Sequence, residues 1–79
     1  MFEKNFPNLK TLAEKWPSAY VARHEVKAFT GGIISGGYLA NLDSQGLGPQ
    51  GRIKVGGKTA YPVDSFIMWL EARAVGVGS

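Results

Sequence analysis

The chain has 79 residues, 44% of them hydrophobic, a net charge of +3 and a pI near 9.5. That length holds one modest core with little to spare for a deep pocket, and the hydrophobic share is too high for a disordered segment. Cysteine is absent and histidine occurs once, which excludes disulfide staples, thiolate zinc centres and cysteine nucleophiles.

No apolar run is long enough for a membrane helix, and Met1–Asn5 lacks the basic-then-apolar design of a signal peptide. A secreted domain of this size would usually need staples, so a cytoplasmic location is expected. Pro7 and Asn8 precede Leu9, Leu12, Ala13 and Trp16, whose spacing marks one face of a helix. Asn8 suits the N-cap, Pro17 blocks continuation, and Trp16 reads as a core anchor. Residues 18–21 read as a connector. A second helix is expected from about Arg23 to Thr30, with Val26 and Phe29 inward and Gly31-Gly32 ending it. Ile33 and Ile34 are expected to plug the following turn into the core. Ser35 is placed to cap a third helix over about Gly36–Ser44, with Tyr38, Leu39 and Leu42 on its apolar side and Gly46 at its end. Helix, short glycine turn and helix make a helix-turn-helix layout.

A hairpin follows. Ile53 and Val55 alternate with Arg52 and Lys54, and Gly56-Gly57 suits a tight turn whose central residues need positive φ. Lys58–Tyr61 is the return strand. An isolated hairpin is marginal in water, so Ile53, Val55 and Tyr61 are expected to pack on the helices. Val63, Phe66, Ile67, Leu70 and Ala74 then mark a last helix, with Asp64 in its first turn and Arg73 near its last. The expected fold is α+β: a small winged helix-turn-helix of about four short helices with one two-stranded antiparallel hairpin, the wing. Residues 21–74 form that domain, residues 1–20 a helical extension packed on it, and residues 75–79 a frayed tail.

The charge is unevenly spread. Residues 44–63 carry Arg52, Lys54 and Lys58 with no acid, while the other segments are close to balanced. Such a cluster on a protruding element is an electrostatic footprint for phosphate backbones, although lysines also protect strand edges. Gly46-Leu-Gly-Pro-Gln-Gly51 matches a dinucleotide fingerprint letter for letter. It is rejected because it follows a helix and opens a strand, the reverse of what that site requires. His24 has no triad partners in the pattern and is expected at the surface. No catalytic constellation is legible. No enzyme activity, cofactor, metal or small-molecule substrate is expected.

The stretches ISGGYLANLDSQGLGP and GRIKVGGKTAYPVDSFIMWL together resemble the excisionase-like and AlpA-like winged-helix proteins of bacteria and phages, a MerR-type helix-turn-helix class. The resemblance covers about residues 21–72, and its most specific part is the hairpin followed by Pro62-Val-Asp64 and Trp69-Leu70. It implies sequence-directed binding of double-stranded DNA, as a small transcription regulator or an excisionase-type recombination factor. An integrase or a second copy of the chain would be a further partner. The groove-facing helix start then falls on Ser35, Gly36, Gly37 and Tyr38, with Asn41 one turn on. The wing contacts fall on Arg52, Lys54 and Lys58, and Arg23 and Lys27 are further candidates for phosphate contact. One departure stands out: Gly36-Gly37 occupies positions where the family commonly has Lys, Arg or Thr. No basic residue lies between Lys27 and Arg52, so base reading would fall to Asn41, Tyr38, Ser35 and Gln45, and affinity chiefly to the wing. The alternative is a protein-interaction module on the same fold, with Tyr20, Phe2, Phe6 and the first-helix face covering a partner.

Overall fold

The computed structural model describes residues 9–74; the expectations for Phe2, Phe6, the Asn8 cap and residues 75–79 lie outside them. Four α-helices are described: α1 (Lys10–Glu14), α2 (Val26–Phe29), α3 (Gly36–Ser44) and α4 (Val63–Arg73). The strands are β1 (Tyr20–Ala22), β2 (Ile53–Val55) and β3 (Lys58–Pro62), and a 3-10 turn, Arg23–Glu25, leads into α2. The α+β class expected from the sequence is the class observed, and the layout is compatible with a small winged helix.

The sheet has one strand more than expected. Residues 18–21 are not simply a connector: Tyr20–Ala22 pairs antiparallel with β3, with Val21 opposite Tyr61. The order is β1-β3-β2, so β3 is central. Both Val21 and Tyr61 are fully buried, which is what draws this short apolar segment into the ladder. Because β1 runs straight into the next element, the helix expected from Arg23 begins as a 3-10 turn.

The core joins Val21, Val26, Phe29, Leu39, Tyr61, Val63, Phe66, Ile67 and Leu70. Phe29 stacks on Phe66 at 5.4 Å, and Trp16 meets Phe29 edge-on at 5.2 Å, so Trp16 anchors α1. Leu9, Leu12 and Ala13 pack on the same core, and Leu9 N–H donates to Glu71 Oε2 across to α4 (3.0 Å). The helix begins one residue after Leu9, which has no side chain to cap it.

Four apolar residues are not where the sequence pattern put them. Ile33 is 70% exposed, and only Ile34 of that pair packs on the core. Tyr38 stands on the exposed surface of α3. Ile53 and Val55 are also exposed, against expectation. The register explains this. Ile53 pairs with Ala60 and Val55 with Lys58, whereas Lys54 pairs with Thr59, two residues from the core-facing Tyr61. Side chains alternate along a strand, so Lys54 lies on the helix side of the sheet and Ile53 and Val55 on the far side. The hairpin is held through β3, not through its own apolar pair.

Candidate nucleic-acid interface

The helix-turn-helix is fixed by local chemistry. Gly31 and Gly32 have φ of 67° and 90°, and their N–H groups donate to Ala28 O and Lys27 O, closing α2 in a Schellman motif. Thr30 is buried at this corner. Its hydroxyl donates to Val26 O (3.0 Å) and accepts from Ile34 N (3.2 Å), tying the end of α2 to the turn. Ser35 is extended and its Oγ accepts from Tyr38 N at 3.1 Å, the N-cap expected from the sequence. At the other end Leu47 N donates to Leu42 O and Gly46 N to Asp43 O, with Gly46 at φ 77°, so α3 runs over Gly36–Ser44 as expected.

Leu39, Leu42 and Asp43 form the buried side of α3. The 3.6-residue period then turns Gly37, Asn41 and Ser44 outward, and all three are exposed. Gly36, Gly37 and Ala40 share a groove with Lys58 and Thr59 of β3. Ala40 and Ser44 share a neighbouring groove with Arg52 and Lys54. Arg52 and Lys54 therefore line a groove whose other wall is α3, while Lys58, paired with Val55, borders the first groove at the hairpin tip with its side chain on the far face. Tyr38 does not join them. It lies on the opposite flank, where its hydroxyl accepts from Arg73 Nη2 at 3.4 Å, and the Arg73 guanidinium sits 4.8 Å from the Trp69 ring centre.

The two glycines at the start of α3 differ. A Cβ on Gly36 would lie 2.5 Å from Arg23 O, so this position packs against the backbone of the 3-10 turn. A Cβ on Gly37 would meet only Ser35 Oγ, at 3.9 Å. Gly36→Ala is expected to cost about 1–3 kcal/mol, and Gly37→Ala to add up to about 1 kcal/mol; urea unfolding of the two variants checks the opposite signs.

A buried polar cluster joins α3 to the sheet. Asp43 is 8% exposed. Its Oδ2 accepts from Arg23 Nη2 and from the Tyr61 hydroxyl, both at 2.6 Å, and Arg23 Nε donates to the same hydroxyl at 2.9 Å. Arg52 Nη1 stands 3.7 Å from Asp43 Oδ1, too far for a hydrogen bond, and that buried oxygen has no donor. The hydrogen bond to Tyr61, with Asp43 adding to it, holds the Arg23 guanidinium above its ordinary pKa. Burial, reinforced by the bond to Asp43, pushes the Tyr61 phenol up. A phenol whose pKa is higher folded than unfolded keeps its full contribution below about pH 10, the unfolded value, and loses it as pH rises through the folded one. Stability should thus fall more steeply in alkali for the parent than for Tyr61→Phe, with thermal melts at rising pH as the check. Equal slopes would show that the phenol is not coupled to folding.

Sequence patterns alone did not single out Asp43 or Thr30. Asp43 carries no signal of a site in the sequence, and its role shows only where Arg23 and Tyr61 converge on it. His24 lies at the surface as expected, yet it also lines the groove beside Lys58. Arg23 is spent on the internal cluster, while Lys27, Lys54 and Lys58 have no ion-pair partner among the described residues. The described residues contain no group of three or more His, Cys, Asp or Glu able to hold a metal, and no described helix is long and apolar enough to cross a membrane. Compared with protein-family models, with curated proteins and with solved structures, the chain matches none of them.

Proposed function

We propose that this chain binds double-stranded DNA without catalysis, presenting the outer face of α3 to a groove and the basic hairpin to the phosphate backbone. The observation that carries the reading is the shared groove: Arg52 and Lys54 stand along α3 rather than on a remote edge, with Lys58 beside them at the hairpin tip. Lys54 and Lys58, with no ion-pair partner among the described residues, supply most of the affinity. Asn41, central on the outward face, suits a bidentate contact to adenine, worth about 1–3 kcal/mol of discrimination. On this reading the chain acts in the cytoplasm as a transcription regulator or recombination factor of the excisionase-like kind. Duplex affinity should fall with salt, with a log–log slope of about −0.9 per phosphate contacted. Fluorescence anisotropy at two salt concentrations measures it, and binding that ignores salt would overturn the reading.

A second reading, a protein-interaction module, is favoured by the far side of the sheet. Tyr20, Ile53 and Val55 are 41%, 39% and 67% exposed there, an apolar face that no described residue covers. Amide shifts on adding duplex DNA separate the two. Changes at residues 35–41 and 52–58 support DNA binding, and a folded spectrum without them supports the module.

A further inference from the structure

The groove between the start of α3 and the hairpin tip, about 570 Å³, is bordered by basic residues of three elements: Arg23 and His24 of the 3-10 turn, Lys27 of α2 and Lys58 of β3. Among the described residues no carboxylate lines it. The α3 wall begins with Gly36 and Gly37, whose N–H groups have no acceptor within the helix, and the open side of Gly37 carries no side chain to screen them. Arg23, ion-paired with Asp43 and bonded to Tyr61, is a fixed wall whose charge is largely compensated. Lys27 and Lys58 have no ion-pair partner among the described residues, and an anion seated beside them meets uncompensated positive charge. An imidazole is the side chain in such a set whose charge changes across the neutral range.

We propose that this groove seats one phosphate of a DNA strand and that protonated His24 is one of its ligands, so that DNA affinity is proton-linked. The proposal rests on the DNA-binding reading above and adds a site and a pH dependence to it. The charged and titratable groups around His24 are Arg23 and Glu25 of its own turn, Lys27 of α2, Asp43 of α3, and Lys58 and Tyr61 of β3. Asp43 and Tyr61 are engaged by Arg23, and Glu25 does not line the groove. Nothing acidic there competes with the phosphate for the imidazolium. A bound phosphate favours the charged imidazole, so the complex takes up a proton and affinity rises as pH falls. Each pKa unit by which binding favours the proton corresponds to about tenfold in affinity between the two pH limits. Phosphodiesters do not titrate in this range, and His24 is the only histidine.

The test measures anisotropy of a mixed-sequence duplex at about pH 5.5 and about pH 8, at matched ionic strength, for the parent and for His24→Gln. The parent should bind about five- to tenfold more tightly at the lower pH, and the variant should bind alike at both. Equal affinity of the parent at the two pH values, or a rise kept by His24→Gln, overturns the inference and leaves the DNA-binding reading standing. A second arm titrates the parent at the lower pH with inorganic sulfate, whose charge is constant in this range, and follows the Gly36 and Gly37 amides and the His24 ring by NMR. Shifts there without duplex binding at either pH uphold the anion site while sinking the DNA reading. Sulfate that leaves all three unmoved overturns the site.

Discussion

Replacing Arg52, Lys54 and Lys58 together by alanine is expected to weaken duplex binding about a hundredfold at low salt and to flatten the salt slope by two to three, roughly one for each phosphate contact removed. Lys54 and Lys58 should account for most of that loss. Arg52 contributes less, because its guanidinium already stands 3.7 Å from buried Asp43 Oδ1 and shares its charge with it. All three side chains lie on exposed positions, so the variant should melt within about 1 kcal/mol of the parent. Retained folding with lost binding is the signature. Binding that survives largely intact would refute the hairpin as the source of affinity even with the fold correct.

The largest effect on stability is expected at Gly48, a glycine outside both α3 and the hairpin. A Cβ on Gly48 would overlap Asp43 Oδ1 and lie 3.0 Å from Asp43 Cγ. The carboxylate cannot swing away without giving up its bonds to Arg23 and Tyr61. Gly48→Ala should cost about 2–4 kcal/mol, a fall in Tm on the order of 10–20 °C for a domain of this size. Asp43→Ala removes the obstacle but leaves Tyr61 and part-exposed Arg23 without their acceptor, at about 1–3 kcal/mol. In that background Gly48→Ala should cost far less than in the parent. An equal cost in both backgrounds would show that the clash with Asp43 is not the cause.

The sequence was most informative where a local rule decides the structure. Ser35 and Gly46 bound α3, Gly56-Gly57 turns the hairpin with φ of 56° and 88°, and the apolar period from Val63 marks α4. It was least informative where partners lie far apart in the chain. Tyr20–Ala22 is too short to show a period, and only pairing with Lys58–Pro62 makes it a strand. The alternation Arg52-Ile-Lys-Val55 shows two faces but not which one turns inward; Tyr61 settles that through the register. The Gly36-Gly37 pair reads as one weak spot, yet one glycine is required by the backbone of Arg23 and the other stands open. The groove beside His24 needs three separated elements to exist at all.

The central strand of the sheet is also the last of the three along the chain. As the polypeptide emerges during synthesis, β1 and β2 are both delivered before the strand that joins them. Until Lys58–Pro62 is available Val21 has no ladder partner, Asp43 lacks the Tyr61 hydroxyl, and the entropy of closing the long loop back to β1 has not been offset by contacts. An unfinished chain can therefore hold a capped α3 without holding it against the hairpin. The sheet is completed only with β3, and the hydrophobic core only with α4, the element that follows it.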